Sequence, residues 1–393
     1  MPWKESDPMS ERLKFVARFL EGERMADLCR EFDISRKTGY KLIQRYEEQG
    51  TIGIRDQSPA PFVHPNQTPP KIEKAIIDLR RQHPTWGAPK IKKNLARKSI
   101  ELPAISTIHA ILRRHDLVKI KRRRPSIART KGTPLTVPMG PNDLWCTDFK
   151  GQFRLGTGRY CYPLTVTDQF SRFLLACEGF ERIDEIECIE AFHRLFQQYG
   201  LPKKIKSDNG VPFSSRSIFG MSKLSVFWIR LGIGIERIKP GNPQENGSHE
   251  RMHRTLKAET TKPPSSNSLS QQERFDGFQT IFNNERPHAA IEMKCPADLY
   301  RPSNIPYNGE INPLKYEGYS ITTRITKCGK IFIANKSLNI KVKIGTPFGG
   351  YNVGLKSIDN GLWQVDFMHH TLGFFDMDTQ KLQVAVNPFL AIR

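Results

Sequence analysis

The spacing of apolar residues at the start of the chain is that of helices. Apolar side chains between 13 and 20 recur at helical spacing and predict one amphipathic helix that ends near Gly22. A short helix over 25–32 and a longer one over 36–49 follow, with Ser35 as the N-cap of the longer helix. Helix, short helix, turn and helix in this order predict a helix-turn-helix domain over 1–54.

Basic and polar side chains are concentrated at the start of the third predicted helix. In a helix-turn-helix domain this part of the last helix meets base edges in the major groove. The residues expected to read DNA there are Arg36, Lys37, Thr38, Tyr40 and Lys41. A three-helix bundle with a solvated basic face is the alternative interpretation.

A proline-rich linker over 55–70 separates this region from a second helical pattern over 71–118. That pattern predicts three helices, with Trp86 in the core and Ser106 as the cap of the third, and so a second helix-turn-helix-like domain. A basic arm over 119–141 comes next and is expected to lie along phosphates or in a minor groove. Its candidate DNA contacts are Lys121, Arg122, Arg123 and Arg124; a solvated linker is the alternative.

The periodicity changes to that of strands near residue 143. The predicted strands are 144–149, 160–167, 173–178, 204–208 and 234–239, and the predicted helices are 184–199, 218–231, one that begins near 244–246, and 270–284. Ser270 and Glu273 form a capping-box pattern for the last helix. Three antiparallel strands followed by alternating helices and strands predict an α/β ribonuclease-H-like core over 142–303.

The tail over 308–393 is predicted to be an all-β domain. Four alternating segments lie in it, and the Asp-Asn-Gly run at 359–361 is a hairpin turn signal. We expect a small barrel. The chain as a whole is therefore predicted to be multi-domain: helical DNA readers, an α/β core and a small β-rich C-terminal domain.

Composition adds a polyanionic partner to this picture. The net charge is +21, and residues 1–140 carry 29 Lys and Arg against 15 Asp and Glu, which favours nucleic acid binding concentrated in the N-terminal part. A generically basic, ribosome-associated protein has similar composition. The seven cysteines lack zinc-ligand spacing and are expected to be buried, and no apolar run has membrane-spanning length. With no signal-peptide pattern at the N-terminus, we expect a soluble, cytoplasmic and nucleoid-associated protein.

Three carboxylates are the candidate chemical groups. Asp148 lies within the first predicted strand of the core, where a charge is costly unless it has a partner such as a metal. Asp208 ends the fourth strand, and Glu250 lies in the first turns of the long helix. Arg254 and Lys257 are four and seven residues further along that helix and share its face, where DNA phosphates would approach. Taken alone, an aspartate such as Asp148 more often forms a salt bridge at a strand end.

The order of these residues resembles the signature of the DDE transposases and retroviral integrases. The runs that carry the resemblance are 147–148 (TD), 207–210 (SDNG) and 243–251 (PQENGSHER), and 284–288 (NERPH) and 296–300 (PADLY) are similar to the insertion-sequence branch. The resemblance covers nearly the whole chain. It implies that Asp148, Asp208 and Glu250 bind two Mg²⁺ ions, with Mn²⁺ as a substitute.

The resemblance also implies an activity. The chain would bind the terminal inverted repeats of an insertion sequence, cleave the 3′ ends and join them to target DNA by two-metal chemistry, as a homo-oligomer. Two departures from the family are visible: the gap between Asp208 and Glu250 is longer than is common, and a helix-turn-helix replaces the zinc-binding domain of retroviral integrases. Glu245 is the rival for the third carboxylate.

Several other polar residues are expected to have supporting roles. Asp168 is predicted to be structural rather than a fourth ligand. His249 and His253 are expected at the surface, with DNA or the metal site as alternative partners, and Arg286 and His288 are expected to pack against or support the site. Two rival functions remain: a catalytically silent, domesticated transposase that regulates through DNA binding, and a ribonuclease H-type nuclease acting on RNA–DNA hybrids.

Overall fold

A computed structural model describes residues 8–56, 67–98, 101–118, 136–238, 243–311, 313–335, 338–359 and 361–389. The chain divides into two compact units, residues 1–68 and residues 69–393. No helix in the described ranges is long and apolar enough to cross a membrane. The basic residues at 121–124 and most of the 55–70 linker lie outside the described residues.

The first unit contains the three predicted helices: α1 Pro8–Leu20, α2 Met25–Glu31 and α3 Arg36–Gln49. The Ser35 hydroxyl accepts a hydrogen bond from Thr38 N at 3.1 Å, which confirms the predicted N-cap. Gly50 follows α3 with a φ of +63°, a conformation that favours glycine and ends the helix. Phe15, Leu28 and Ile43 lie in the apolar core that joins the three helices.

The second unit begins with three further helices: α4 Pro70–Gln82, α5 Ala88–Ala96 and α6 Ile105–Arg114. Trp86 is fully buried between α4 and α5 and stacks on His83 with ring centroids 4.1 Å apart, as predicted for a core residue. The predicted cap at Ser106 is wrong. The N-cap is Ala104, whose side chain makes no capping hydrogen bond, so α6 depends on the packing of Ile108, Ile111 and Leu112.

A mixed sheet forms the centre of the second unit. Its strands are β1 Trp145–Phe149, β2 Phe153–Arg154, β3 Tyr160–Asp168, β4 Leu174–Phe180, β5 Lys204–Ser207 and β6 Gly234–Arg237. β3 pairs antiparallel with β1, β2 and β4, whereas β5 pairs parallel with β1 and β6. This is the predicted order, with the short strand β2 added.

Helices cover the sheet: α7 Glu185–Tyr199, α8 Lys223–Arg230, α9 Gly247–Thr260, α10 Ser268–Asn284 and α11 Pro296–Leu299. Two predicted starts are wrong. A separate 3-10 turn precedes α8, because Phe219 has a φ of +57° that interrupts the helix. The cap of α10 is Asn267, which accepts a hydrogen bond from Ser270 N at 2.9 Å, so Ser270 lies inside the helix.

The tail is antiparallel β structure. Its strands are β7 Ile321–Arg324, β8 Lys330–Asn335, β9 Leu338–Lys343, β10 Asn352–Asp359, β11 Leu362–Phe367, β12 His370–Asp376 and β13 Lys381–Val384. Among the described residues, strand pairing gives a five-stranded sheet in the order β13-β12-β11-β10-β7 and a separate β8–β9 hairpin. The hairpin approaches both edge strands, so the predicted barrel is an open one without continuous strand pairing.

The tail and the central sheet share one apolar core. Phe348, Phe367 and Phe375 of the tail belong to the same cluster of buried residues as Trp145 and Trp228 of the ribonuclease-H-like part. The tail is thus held on the core by packing.

Six cysteines are buried as predicted, but Cys328 is exposed, because it lies in the turn before β8.

Truncation of Phe367 tests this packing. The ring is 1% exposed and lies 5.2 Å from that of Phe348, so Phe367→Ala is expected to lower the free energy of unfolding by about 3–5 kcal/mol. Phe332→Ala is the control, because Phe332 is 51% exposed and its loss should cost within about 0.5 kcal/mol. Urea unfolding measures both; equal losses would contradict a shared core.

Candidate active site

The three predicted carboxylates come from three neighbouring elements. Asp148 lies near the carboxyl end of β1, and Asp208 directly follows the parallel strand β5, where Gly210 N donates to its Oδ1 at 3.1 Å. Carboxyl ends of adjacent parallel strands open at the same sheet edge. Glu250 lies in the first turn of α9. The fold therefore places the two aspartates at the ends of neighbouring parallel strands and the glutamate at the start of a helix.

The electrostatics of Asp148 involve the other two carboxylates. Burial, together with smaller contributions from the negative charges of Asp208 and Glu250 and against the Phe149 N–H and Lys150, raises the pKa of Asp148 to about 7. Neighbouring like charges disfavour joint ionisation. The arrangement can accept a cation with oxygen ligands.

Buried cations hold the backbone around this edge. The guanidinium of Arg237 donates to the carbonyl of Asp208 and to the Ser207 hydroxyl, both at 3.2 Å. Lys206 is 2% exposed, and its ammonium donates to the Glu245 carbonyl at 3.1 Å, just before α9. These contacts fix the ends of β5 and α9 from which Asp208 and Glu250 project.

His249 and His253 are buried, at 1% and 7% exposure, so their predicted surface position is wrong. They are four residues apart on α9 and face Thr165 and Thr167, two residues apart on β3. Helix and strand periodicities place each pair on one face. The Thr165 hydroxyl lies 2.7 Å from Nε2 of both histidines, and the Thr167 hydroxyl lies 2.9 Å from Nδ1 of His249.

Counting donors assigns the protons in this network. The Thr165 hydroxyl has one proton and three neighbours, the Asp148 carbonyl at 3.1 Å and Nε2 of the two histidines at 2.7 Å. When this hydroxyl donates to the carbonyl, it accepts from both histidines. Both rings then carry the proton on Nε2. Burial lowers the pKa of His249 to about 3 and that of His253 to about 2, which keeps both neutral.

One ring nitrogen of the network faces the carboxylates. The side chains of Asp148, His249 and His253 lie close enough together to bind one metal ion, but both nitrogens of His249 are engaged by threonines. Only Nδ1 of His253 is left with its lone pair, 3.7 Å from Oδ2 of Asp148. Two acceptors that face each other indicate a place for a cation or a proton donor.

The remaining predicted residues are placed as follows. Asp168 is fully buried and accepts hydrogen bonds from Asn142 N and from the Ser171 N–H and hydroxyl, in agreement with a structural role. Arg286 is buried and pairs with Glu259 at 2.8 Å. Burial lowers the pKa of His288 to about 3. Both therefore pack beside α9, as expected.

The predicted DNA contacts in the described residues are all exposed. Arg36, Lys37, Thr38, Tyr40 and Lys41 are exposed on the first turns of α3, and Arg254 and Lys257 are exposed on α9. The charge of Lys257 contributes to lowering the pKa of Lys150, after burial, so Lys257 lies near the residue that follows β1.

The raised pKa of Asp148 predicts how stability depends on pH. The folded chain holds this proton up to about pH 7, whereas the unfolded chain releases it near 3.9. Stability therefore falls as pH rises through this window and stays low above it. In EDTA at pH 8, Asp148→Asn is expected to raise the free energy of unfolding by about 2–4 kcal/mol, with a smaller gain at pH 5.

Asp143→Asn is the matched control for that measurement. Hydrogen bonding to Lys203 lowers the pKa of Asp143, so its ionised form stabilises the fold above the unfolded pKa. The same substitution there should lower stability at pH 8. Denaturant titrations of both variants at pH 5 and pH 8 give the comparison, and a loss of stability in Asp148→Asn at pH 8 would refute the crowding of carboxylates.

Removal of the Thr165 hydroxyl tests the network beneath the carboxylates. Thr165→Val keeps the shape but leaves two buried histidine N–H groups without an acceptor, at an expected cost of about 2–4 kcal/mol. Thr165→Ser keeps the hydroxyl and loses one methyl group, for about 1 kcal/mol. Urea unfolding at pH 8 measures both. Equal stability of the two variants would show that the hydroxyl is not the shared acceptor.

Comparison with known families identifies the domains. An integrase core domain matches residues 138–243, and a second integrase core domain family matches 231–296. A helix-turn-helix domain matches residues 11–62, and a homeodomain-like domain matches 38–112. The first two matches include all three carboxylates, and the other two include the helices α1–α6.

Known proteins with similar sequences include proteins of insertion elements and of retroviruses. The 31.7 kDa protein of insertion element IS407 from Burkholderia multivorans is 23% identical over 49% of this chain and 67% of its own length. The 39.2 kDa protein of insertion element IS476 from Xanthomonas euvesicatoria is 23% identical over 58% of this chain and 64% of its own. The Gag-Pol polyprotein of baboon endogenous virus is 31% identical over 36% of this chain and 7% of its own.

Solved structures with a similar chain include the HTLV-2 integrase catalytic core domain in complex with magnesium, which is 17% identical, with 42% of this chain and 99% of that one covered and a TM-score of 0.33.

The sequence resemblance to transposases and integrases is confirmed by the domain and sequence matches. The chain thus combines matches to integrase core domains over 138–243 and 231–296 with matches to helix-turn-helix and homeodomain-like domains over 11–62 and 38–112, and it is similar to proteins of insertion elements.

Proposed function

We propose that the chain is the transposase of an insertion element, which binds the terminal inverted repeats, cleaves the 3′ ends and joins them to target DNA. The observation that supports this proposal is that the charges of Asp208 and Glu250, which come from neighbouring elements of the integrase core, act on the buried carboxyl of Asp148 and help raise its pKa to about 7. Such crowding has a function where the carboxylates share a divalent cation.

The donor set fits a divalent metal. Carboxylate oxygens are the ligands that Mg²⁺ and Mn²⁺ prefer, and Asp148, Asp208 and Glu250 would hold the two ions. Bound there, the ions would supply an activated water or 3′-hydroxyl and stabilise the leaving oxygen. Oδ2 of Asp148 and Nδ1 of His253 face each other at 3.7 Å, and a cation beside them would satisfy both atoms.

The residues around the carboxylates hold them in position. Thr165 and His253 lie beneath Asp148, Arg237 fixes the Asp208 backbone, and Lys206 anchors the turn before α9. Lys150, which lies beside Lys257, offers positive charge to the phosphodiester backbone. Exposed Arg254 adds to it. Substrate DNA is thus expected along α9.

The domains outside the core would select the DNA. We assign the exposed residues of α3, Arg36, Lys37, Thr38, Tyr40 and Lys41, to groove contacts and the basic run 121–124 to phosphate contacts. Residues 71–118 form the second reader. Duplex DNA at element ends and target is the partner, a homo-oligomer that pairs two ends is the working form, and the nucleoid of the cytoplasm is the location.

Substitution of the third carboxylate tests the catalytic proposal. Glu250→Gln and Asp208→Asn are expected to reduce Mg²⁺- or Mn²⁺-dependent cleavage of an inverted-repeat duplex by at least about 100-fold, because each removes a ligand. Glu245→Gln is the matched control and should retain activity. Duplex binding should persist in all three variants. Activity in Glu250→Gln together with loss in Glu245→Gln would assign the third position to Glu245.

Two outcomes with the wild-type chain would replace the proposal. Tight binding to the element ends without nicking in either metal would make the chain a DNA-binding regulator. Cleavage of an RNA–DNA hybrid in preference to the inverted-repeat duplex would make it a ribonuclease H-type enzyme. The helices α1–α6, matched by DNA-reader domain families, favour the duplex.

A further inference from the structure

A cavity of about 240 Å³ lies between the second helical domain and the catalytic core. Its walls come from α5, from the turn after β3, from α9 and from the segment after α10. The cationic side chains that line it are Lys90, Arg172, Arg251 and Arg286. The cavity is smaller than the pockets that hold whole small molecules, but its volume is several times the ~30 Å³ that one water molecule occupies.

The cavity has a strong excess of positive charge. No Asp or Glu is among its lining residues. Of the four cations, only Arg286 has an ion pair in the described part of the chain, with Glu259 at 2.8 Å. The pKa of Lys90 reflects this charge. Burial, which is the larger cause, and the positive charge of Arg286 lower the pKa of Lys90 to about 8. Arg251 likewise contributes to lowering the pKa of Arg172, after burial and against Cys146 and Asp168.

Arg172, which lines the cavity, has an unpartnered donor. Nη1 of Arg172 is buried and has no hydrogen-bond partner among the described residues. A buried donor without a partner costs about 1–3 kcal/mol, and Arg172 itself has a φ of +66°, a conformation that is uncommon for arginine. Hydroxyl groups of Ser248 and Thr255, on α9, also line the cavity.

We propose that this cavity binds a phosphate group, held by Lys90, Arg172 and Arg251 together with Arg286. Several cations that converge from different elements suit an anion with oxygens in several directions. Lys90 belongs to the second helical domain, whereas Arg251 lies on the catalytic helix beside Glu250, so one bound phosphate contacts both. The source is a phosphodiester of duplex DNA or a free phosphate, and the first of these rests on the proposed function.

The test compares single charge removals in the full chain. Lys90→Gln removes the cation from α5, and Arg251→Gln removes an exposed one at the mouth of the cavity, where loss of folding is not expected. Lys93→Gln is the control, because Lys93 is an exposed lysine of the same helix that does not line the cavity. Melting temperatures of all three variants confirm folding.

The first arm measures the affinity for duplex DNA as a function of salt. Each neutralised phosphate contributes about 0.9 to the slope of log K against log salt. Lys90→Gln and Arg251→Gln are each expected to reduce the slope by about 1 relative to the wild type, and Lys93→Gln by less. This result assigns a DNA phosphodiester to the cavity.

The second arm measures binding of inorganic phosphate, with acetate at the same ionic strength for comparison. Stabilisation of the wild type and Lys93→Gln by phosphate alone, lost in Lys90→Gln and Arg251→Gln, shows a phosphate site; with an unchanged salt slope, it makes a free phosphate the source. If both arms leave the two cavity variants equal to Lys93→Gln, or if acetate stabilises as well as phosphate, the inference is wrong.

Failure of this inference can be told from failure of the proposed function. Neither arm needs DNA cleavage. If the wild-type chain cleaves element ends and the cavity variants keep its salt slope and phosphate response, only the phosphate site is refuted. If the wild-type chain never cleaves, the transposase assignment is refuted and the phosphate result stands.

Discussion

Electrostatic repulsion among Asp148, Asp208 and Glu250 is the constraint on which the rest of the structure depends. Burial and the negative charges of Asp208 and Glu250 raise the pKa of Asp148, and such an arrangement persists only where the backbone is held in place. The fold holds them by drawing each from a different regular element. β1 and β5 are hydrogen-bonded parallel neighbours, and α9 lies across the face of the sheet through His249 and His253. The packing of these elements thus stabilises an arrangement of carboxylates that is unfavourable by itself.

The polar layer beneath the site explains how a helix is fixed on a sheet at this point. Apolar side chains alone would allow α9 to rotate or slide, but Thr165 accepts from two histidines and donates to the Asp148 backbone. A buried network in which every partner has a defined role specifies one arrangement. The same network leaves one nitrogen, Nδ1 of His253, directed at the carboxylates, so orientation of the helix and chemistry of the site are linked.

The other domains in residues 69–393 are joined to this scaffold in different ways. The second helical domain contacts the core through polar groups, with Arg97 paired to Asp298 and Asn94 donating to the Glu285 carbonyl at 3.0 Å, and through one partly buried apolar side chain of α10, Ile281. The β-rich tail shares its apolar core with the central sheet through residues such as Phe367. Polar groups that exchange their partners for water lose little free energy, whereas separation of a shared apolar core exposes its side chains to water at a large cost in free energy. The helical reader is therefore the more easily displaced of the two.

Much of this architecture is local and was predictable. Periodicity located most helices and strands, the runs around Asp148, Asp208 and Glu250 identified the candidate carboxylates, and Ser35 was found as a cap, because each depends on residues close in sequence. The caps at Ser106 and Ser270 were predicted wrongly, since the helices begin earlier, with N-caps at Ala104 and Asn267, and an offset of two or three residues changes which side chain meets a free N–H. The sequence by itself thus determined the order of elements and the types of groups available for chemistry.

Only the tertiary structure decided which of those groups meet. His249 and His253 belong to a polar helix and gave no sign of burial until Thr165 was placed opposite them. The cationic cavity combines Lys90 with Arg251, which are 161 positions apart. Burial, proton affinity and convergence of charge depend on distances in space, and sequence separation does not encode those distances.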